Sequence, residues 1–508
     1  MKLTLGRLFR NNLISSMIVC FLVTTAVCAN TPGSWYMSRA TSFGGSANDS
    51  AAAIKTGSDG SQYFTGQFGS SMQFGNTPLT SYGGQDIFLT KIDPSGTVLW
   101  AIQAGGPNDD WGEALALDAA DNIYVTGMFY NSATFGSTDG KNLPVTGNGY
   151  TIFLAKYNFS GALVWVQTGT VPYAGDYNWG QGVAVEPTTG TVYAAGISQG
   201  DTTFSSADGT YHRVPGNGSW HMFLAKYDSS GNFYWGETNG ANPNSLGIAV
   251  AVDKAASAYV VGWLENQCTF YSHNGKNITI TGFSPGQSDD NYPDDGYLAK
   301  YDSAGNVRWV NHFGGYIGHA NAVAVSPTGE ISLVGDIGNI DYGSSGEAST
   351  IVTSQPPGQN VDLGGGDYTN PYNHDAMSAT YDSRGVLKRA LRIGGPANEE
   401  ATGVTYDASG LVYVTGVFQS PFNIGTRHLN GNDQQNLFLL QYSGTILRRT
   451  ATATNATVWP SSTGSGVSVD SSGNIFVVGG YQGTARFGDI DLSSAGGLDM
   501  FLAEVALH

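Results

Sequence analysis

The stretch FLAKYDSSGNFYW, residues 223–235, decides how the rest of the chain is interpreted. Its first residues alternate with a period of two, which predicts a β-strand, and a second strand-like segment follows within a few residues. The Asp-Ser-Ser-Gly-Asn run between them is typical of a tight turn, because Asp bonds nearby backbone and Gly accepts a positive φ. We therefore expect a β-hairpin here.

The same unit returns six more times along the chain. The further copies occupy residues 88–100, 153–165, 297–309, 378–390, 438–449 and, in shortened form, 501–508. Two more strand-like segments precede the hairpin, one small and apolar, as in EALALD (113–118), and one β-branched and aromatic, as in NIYVTG (122–127). We name the four strands a, b, c and d. Four short antiparallel strands per unit, repeated seven times, predict an all-β, seven-bladed β-propeller.

A large residue marks strand d of most units. The markers are Trp100, Trp165, Trp235 and Trp309, and alignment places Arg389 and Arg448 at the next two marker positions. We expect the Trp rings, as large apolar bodies, to pack between blades. The last unit stops after strand c, whereas an unassigned strand-like segment lies at Trp35–Arg39. This N-terminal strand is expected to complete the last blade, which removes the open edge of the sheet.

The repeated motifs resemble those of a known family. They are GG-x-ND before strand a (Gly44–Asp49), the YVTG that ends strand b, the Phe-Gly pair at Phe74-Gly75, and FLAKYD-SGN-W. Over about residues 35–508 these units are similar to the SBBP-type β-propeller repeat of exported bacterial proteins. The resemblance implies a secreted or surface binding role and no catalytic residues to carry over. The two Arg markers depart from the pattern.

Residues 1–29 are expected to be a secretory signal peptide, with a basic start, an apolar run and small residues at the cleavage site. The alternative is a lipid anchor on Cys28. The mature chain, residues 30–508, would then be a single propeller domain, secreted or at the cell surface, without a transmembrane segment. Cys268 would remain as the single cysteine, so no intrachain disulfide is expected.

The charge balance narrows the choice of partners. The chain has a formal net charge of −18, and only 12% of its residues are charged. An acidic protein lacks the field of Lys and Arg that neutralises phosphates, so we expect no nucleic-acid partner. The oligomeric state stays open.

The connections between strands indicate one functional face. The a–b and c–d turns are short, whereas the b–c connections are long and variable, at about residues 264–295 and 337–376 in the fourth and fifth units. Binding residues tend to lie on variable loops held by a rigid scaffold. The face of the b–c and d–a connections is therefore the expected binding face.

Acidic residues precede strand a in three units, at Asp49, Asp110 and Glu399. Together they make a candidate cation site, with calcium as the possible ion, although no cofactor is required. The alternative is that each carboxylate caps the turn that leads into its strand.

The two long connections supply the candidate ligand-binding residues. Those in the fourth unit are Asp289, Asp290, Tyr292, Asp294 and Asp295, and those in the fifth are Asp367, Tyr368, Tyr372, His374 and Asp375. Aromatic, amide and carboxylate groups together suit sugars, whereas a solvated acidic loop is the structural alternative.

We therefore predict a non-catalytic binding or adhesion module for carbohydrate or an extracellular protein. One alternative is a propeller glycosidase or polysaccharide lyase that uses loop carboxylates, and another is a purely structural surface protein. Two carboxyl groups within roughly 5–10 Å of each other in a concave pocket would favour the enzyme.

Overall fold

The computed structural model describes residues 35–507 apart from short gaps. The gaps are residues 217, 243, 284–293, 316, 339–349, 356–359, 364–372, 432–434, 445, 455–456 and 460–465. Within the described residues the chain forms strands and turns and no helix, as an all-β sequence predicts.

The strands are numbered in chain order. β1 (Trp35–Phe43) precedes the first repeat. The first two repeats contain β2 (Asp49–Thr56), β3 (Gln62–Phe74), β4 (Thr77–Ile92), β5 (Val98–Gly105), β6 (Trp111–Leu117), β7 (Ile123–Phe135), β8 (Leu143–Tyr157) and β9 (Leu163–Thr170). The third and fourth repeats contain β10 (Asn178–Val185), β11 (Val192–Gln199), β12 (Thr202–Ser205), β13 (Tyr211–Val214), β14 (Trp220–Tyr227), β15 (Phe233–Asn242), β16 (Ser245–Val252), β17 (Ala258–Glu265), β18 (Gln267–Phe270), β19 (Ile278–Thr281), β20 (Asp294–Tyr301) and β21 (Val307–Gly314).

The remaining strands complete the last three repeats. The fifth and sixth repeats contain β22 (Ile317–Val325), β23 (Ile331–Gly338), β24 (Ile351–Val352), β25 (Val361–Asp362), β26 (His374–Tyr381), β27 (Leu387–Ile393), β28 (Glu399–Tyr406), β29 (Val412–Phe418), β30 (Phe422–Ile424), β31 (Arg427–Leu429), β32 (Asn436–Ser443) and β33 (Ile446–Thr454). The last repeat contains β34 (Thr457–Trp459), β35 (Gly466–Val469), β36 (Ile475–Phe487) and β37 (Ile490–Leu507).

Each repeat is an antiparallel meander of strands a, b, c and d. In the third repeat β10 pairs with β11, β11 with β14 and β14 with β15, and the other repeats follow the same order. In the first, second and last repeats, strands b and c are long and meet in an outer hairpin. In the repeats between them, a separate pair of short strands takes the place of that extension.

The innermost strands contact one another in a closed order. The strands a are β2, β6, β10, β16, β22, β28 and β35, and each contacts the next, with β35 returning to β2. Residues of all seven line a central cavity of about 130 Å³. Small residues permit this approach, because a Cβ at Gly182 would meet the Ala249 backbone at 2.9 Å. The Gly and Ala content of strand a therefore reflects crowding at the centre.

The first and last strands of the described residues pair with each other. β1 pairs antiparallel with β37, from Trp35 opposite Leu507 to Phe43 opposite Met500. Trp35 and Met37 are buried in the apolar cluster of the last repeat. The predicted pairing of the N-terminal strand with the last repeat is confirmed.

The repeated hairpin motif forms a lock between neighbouring repeats. The carbonyl of Ser229, in the third repeat's turn, accepts hydrogen bonds from Lys156 Nζ at 2.9 Å and Trp165 Nε1 at 3.3 Å, both in the second repeat. Gly231 of that turn lies against the Trp165 ring, which a Cβ would approach to 3.0 Å. Lys226 and Trp235 bind the carbonyl of Ser303 in the same way. The prediction that the Trp markers pack between repeats is confirmed.

One marker assignment was wrong by a residue. The marker Trp235 lies opposite Lys226, and Arg389 takes the equivalent place opposite Thr380. In the sixth repeat Arg449, not Arg448, lies opposite the equivalent Gln441. The turn between β32 and β33 is shorter than in the other repeats, so counting from the longer turns moves the register by one.

The apolar core lies between adjacent repeats. One cluster, for example, joins Tyr63 and Leu89 of the first repeat to Leu115 and Phe153 of the second. Burial against both neighbours explains why strands b and c are almost continuously apolar. Among the described residues there is no helix of sufficient length and apolarity to cross a membrane.

Candidate functional site

A pocket of about 410 Å³ opens where strands a and c begin and strands b end. This is the face of the b–c and d–a connections. We call it the mouth pocket, and its lining residues are Tyr177, Trp179, Gln181, Ile197, Trp220, Leu246, Ile248, Trp263, His319, Asn321, Asp336 and Glu400. A concave, partly apolar cavity with a few convergent polar groups is the usual form of a small-molecule site.

One wall of the mouth pocket is aromatic. Tyr177 and Trp220 are in edge-to-face contact, with ring centroids 5.8 Å apart, and both remain more than one-third exposed. Trp179 is supported from behind by Trp111 at 5.0 Å. Tyr150 stacks on Tyr177 at 4.8 Å, which extends the aromatic surface toward the second repeat. Aromatic surface is therefore accessible to a ligand along this wall, chiefly at Tyr177 and Trp220.

The other wall carries an ionisable network. His319 bonds through Nδ1 to Asp336 Oδ2 at 3.0 Å and through Nε2 to Asp294 Oδ2 at 3.2 Å. Because both ring nitrogens face carboxylates, the network fits an imidazolium that donates from both. His374 Nδ1 lies 3.0 Å from the same Asp336 oxygen, so one buried carboxylate joins two histidines.

The charged groups of this network shift one another's pKa values. Burial opposes a charge on His319, but the carboxylates of Asp336 and Asp294 outweigh it and raise its pKa to about 10. Burial also opposes a charge on Asp336, but the two histidines hold its pKa well below its usual range. Asp336 and His319 therefore form an ion pair at neutral pH.

Asn321 connects this network to a second carboxyl group. Its Nδ2 donates to Asp336 Oδ1 at 3.2 Å and to Glu400 Oε1 at 3.1 Å. A shared donor keeps these two oxygens within roughly 6 Å of each other. Burial, with the nearby charge of Asp336, raises the pKa of Glu400 to about 7. The pocket therefore contains two adjacent carboxyls whose pKa values are displaced in opposite directions.

The structure brings together candidates from both long connections. Asp294 begins β20 and His374 begins β26, and both join the network on Asp336 and His319. These two are among the sequence-predicted residues; they bond residues that line the mouth pocket but do not belong to its lining themselves. Ligand contact by them stays a prediction.

The neighbouring candidates point elsewhere. Asp295 is buried and accepts a hydrogen bond from the Phe283 amide at 2.8 Å. Asp375 is buried and ion-paired with Arg392. Neither lines the mouth pocket. The other candidates, Asp289, Asp290, Tyr292, Asp367, Tyr368 and Tyr372, fall outside the described residues.

The proposed cation residues each close a turn. Asp49 accepts hydrogen bonds from the Gly45 amide at 2.7 Å and the Gly69 amide at 3.0 Å. Asp110 does the same with two amides, and Glu399 accepts from the Gly395 amide at 2.7 Å. The capping alternative is therefore present at all three positions.

These capping carboxyls are protonated more readily than free ones. Burial raises the pKa of Asp49 and Asp110 to about 7 and that of Glu399 to about 8, against the opposing effect of the amide donors. Within the described ranges no group of three or more His, Cys, Asp or Glu side chains is arranged to hold a metal. A cation at these positions stays a prediction.

Most residues of the mouth pocket were not predicted from the sequence. Trp179, Trp220 and Trp263 lie in separate strands of the third and fourth repeats, so no local motif joins them. His319 and Asp336 did carry a signal. They stand in IGHANAVAV and ISLVGDIG, at positions where the equivalent strands of most other repeats have small or apolar residues. A comparison of repeats position by position would have marked both.

Comparison with known proteins supports the repeat assignment. Residues 99–128 match the model of the SBBP family, described as a beta-propeller repeat. This match confirms the resemblance drawn from the sequence motifs. A WD repeat-containing protein, L264, of Acanthamoeba polyphaga mimivirus is 28% identical over 244 residues, which are 42% of this chain and 17% of that protein. The chain therefore spans about a sixth of that relative's length.

Two solved structures resemble the chain more distantly. Virginiamycin B lyase from Staphylococcus aureus is 8% identical, with a TM-score of 0.37 over 92% of this chain and 99% of that one. The extracellular domain of the one-component system BT4673 from B. thetaiotaomicron is 12% identical, with a TM-score of 0.22 over 88% and 57%. At these scores neither structure supports an inference about this chain.

Proposed function

We propose that this protein is a secreted or surface-exposed, seven-bladed β-propeller that binds carbohydrate in the mouth pocket. The closed order of contacts among seven innermost strands and the pairing of β1 with β37 support the blade number. The basic and apolar N-terminal segment, residues 1–29, supports export.

The observation that carries the proposal is the composition of the mouth pocket. Tyr177 and Trp220 are partly exposed aromatic side chains in this lining, which suit the apolar faces of pyranose rings. The same lining includes the amide of Gln181, the amide oxygen of Asn321 and the carboxyl group of Glu400, which can bond hydroxyl groups. Polar groups together with an aromatic wall match a ligand that is apolar on its faces and polar on its edges.

An extracellular protein is the alternative ligand. A protein partner would use a broader surface around the mouth pocket, with Trp220 as an anchor, because aromatic residues dominate binding energy at such interfaces. The concave shape of the pocket favours a sugar over a flat protein surface.

Catalysis is the second candidate function, and one observation favours it. Asp336 and Glu400 share the Asn321 donor in a concave pocket, so the bonded carboxyl oxygens lie no more than roughly 6 Å apart, a limit that includes the shorter carboxyl separation of glycosidases. Their pKa values are displaced in opposite directions, as those of an acid and its partner are. Against it, Asp336 is engaged by two histidines, which limits its role as a nucleophile or base. Incubation with glycan oligomers and chromatography of the products tests this candidate, because a binding module leaves them intact.

Replacement of Trp220 tests the binding function. We expect Trp220→Ala to weaken carbohydrate binding at least about fivefold, because truncation of an aromatic anchor at a binding site costs more than about 1 kcal/mol. The measurement is isothermal titration of residues 30–508 with oligosaccharides selected on a glycan array. Tyr211→Ala is the control, since Tyr211 is 73% exposed on β13 and lies outside the pocket. Equal weakening by both changes, or no glycan binding by the unchanged protein, would reject the proposal.

A further inference from the structure

We infer that the mouth pocket selects positively charged sugars, namely oligomers of an amino sugar with a free or quaternary ammonium group, and that Glu400 is the counter-charge. The inference rests on the proposed carbohydrate binding and names its ligand class.

Glu400 differs from the other acids of the network in its partners. Asp336 pairs with His319 and His374, and Asp294 pairs with His319. Glu400 has no ion-pair partner within the described residues, and its hydrogen-bond donor is the neutral amide of Asn321. The nearby His319 favours the charged form of Glu400, but its two ring nitrogens already bond Asp336 and Asp294, and burial still raises the pKa of Glu400. A half-buried carboxylate without an ion-pair partner of its own is unfavourable, and a cationic ligand would relieve that cost.

The walls of the mouth pocket also favour a cationic ligand. The lining of the mouth pocket contains no Lys or Arg, so no side chain of that kind competes for Glu400. Trp179, Trp220 and Trp263 belong to the lining of the same pocket, and the negative face of an indole attracts an ammonium group. A cation enclosed by aromatic rings beside a carboxylate is a general solution for the recognition of ammonium groups.

The net charge of the whole chain favours the same class of ligand. A formal net charge of −18 attracts polycations and repels polyanions before contact. An acidic glycan would have to approach this field and then enter a pocket lined by Asp336 and Glu400. An amino-sugar oligomer is attracted at both stages.

The pocket predicts how selectivity depends on pH. The titratable groups that face Glu400 are Asp336 on β23, His319 on β22 and His374 on β26. Burial, with the nearby charge of Asp336, raises the pKa of Glu400 to about 7, so a bound cation must displace a proton below that pH. Affinity for a permanent cation should then weaken by up to about tenfold for each pH unit below about 7.

The test compares two oligomers of equal length. One is an N-trimethylated glucosamine oligomer, whose charge does not depend on pH, and the other is the neutral N-acetylglucosamine oligomer. Titration of residues 30–508 at pH 8 should give at least about tenfold tighter binding of the cationic oligomer, and this preference should fall between pH 8 and pH 5.5. Glu400→Gln should reduce the preference to near one at both pH values. Glu330→Gln, in an exposed a–b turn, is the matched control and should leave it intact.

Each outcome separates this inference from the function on which it rests. A neutral oligomer that binds as tightly as the cationic one, or a preference that survives Glu400→Gln, overturns the inference and leaves carbohydrate binding in place. Failure of every glycan to bind removes both. The pH dependence of the unchanged protein needs no variant, so it decides the matter even if Glu400→Gln does not fold.

Discussion

At the scale of single residues, the central group of the mouth pocket is Asp336. Its carboxylate is 5% exposed and bonds two histidines and the amide of Asn321. A buried charge is tolerated only when its partners are complete, and loss of one partner leaves the others uncompensated. Asp336 therefore stabilises the fifth repeat, and it also orients the polar side chains on this wall of the pocket.

Replacement of Asp336 by Asn should destabilise the protein by about 3–5 kcal/mol near pH 7, because it leaves the His319 cation with a weaker set of partners. The pKa of His319 is raised to about 10, above its ordinary value of 6.5. Its ion-pair contribution is therefore fully present below about pH 6.5 and is lost as the pH rises through about 10. Urea unfolding of both proteins at pH 7 and pH 10 should show the difference shrinking at the higher pH.

The exposed pair of Asp139 and Lys141 provides the comparison for this change. Asp139→Asn should move the unfolding midpoint little at either pH, because solvent-exposed ion pairs contribute little to stability. A loss for Asp336→Asn that is equally small would mean that the buried network does not hold its charges as described.

At the scale of elements, the lock between one repeat's strand d and the next repeat's turn explains the repeated motif. Lys and Trp of one repeat donate to the same turn carbonyl in the following repeat, as Lys156 and Trp165 do to Ser229. The motif FLAKYD-SGN-W therefore describes two halves of an interface rather than an isolated hairpin. The third, fourth and fifth repeats each supply such a turn carbonyl to the repeat before them, at Ser229, Ser303 and Ser383. The last repeat has no such turn, because its strands c and d are β37 and β1.

Alanine substitutions at two glycines distinguish the packing contribution of this lock from the cost of backbone strain. Gly231 and Gly410 have φ values of 86° and 85°, so Ala at either position adopts an unfavourable left-handed conformation. At Gly231 the added Cβ also approaches the Trp165 ring to 3.0 Å, whereas at Gly410 nothing lies within 4 Å. We expect Gly231→Ala to cost about 1–3 kcal/mol more than Gly410→Ala in urea unfolding, because overpacking adds to the shared strain. Equal losses would mean that Trp165 contributes no packing between these repeats.

At the scale of the whole molecule, we expect stability to depend on the pairing of β1 with the last repeat. β1 supplies the fourth strand of the last repeat, and its Trp35, Met37 and Phe43 are buried. Without β1 the long strand β37 would present unpaired amides and carbonyls to solvent, and such an edge invites association between copies.

Removal of β1 should both destabilise the chain and promote self-association. A protein that begins at Gly44 should lose at least about 5 kcal/mol relative to one that begins at Ser34, because each buried apolar side chain contributes about 1.5–3 kcal/mol. Thermal unfolding reports the first effect, and light scattering after size-exclusion chromatography reports the second. Unchanged unfolding and a monomeric shortened chain would show that closure by β1 is dispensable.

The sequence predicted the repeats well, because their chemistry is local. Asp228 and Gly231 fix a turn within a few residues, and the periodicity of strands a to d follows from the same short units. The register failed only at Arg448, where one turn is shorter than the rest. The mouth pocket was not predictable in this way, since Trp179, Trp263 and Glu400 are brought together by the closed order of repeats rather than by sequence proximity. Its expected face followed from loop length alone.

The pairing of Trp35 with Leu507 has a practical consequence for immobilisation. This pair lies at the c–d turn end of the last repeat, whereas the mouth pocket opens where strands a and c begin. A resin or display scaffold coupled before Trp35 or after Leu507 would thus hold the protein from the far side and leave the pocket facing the solution. Several copies held this way would engage a polymeric ligand together, and the gain in apparent affinity would depend on spacing rather than on any new contact.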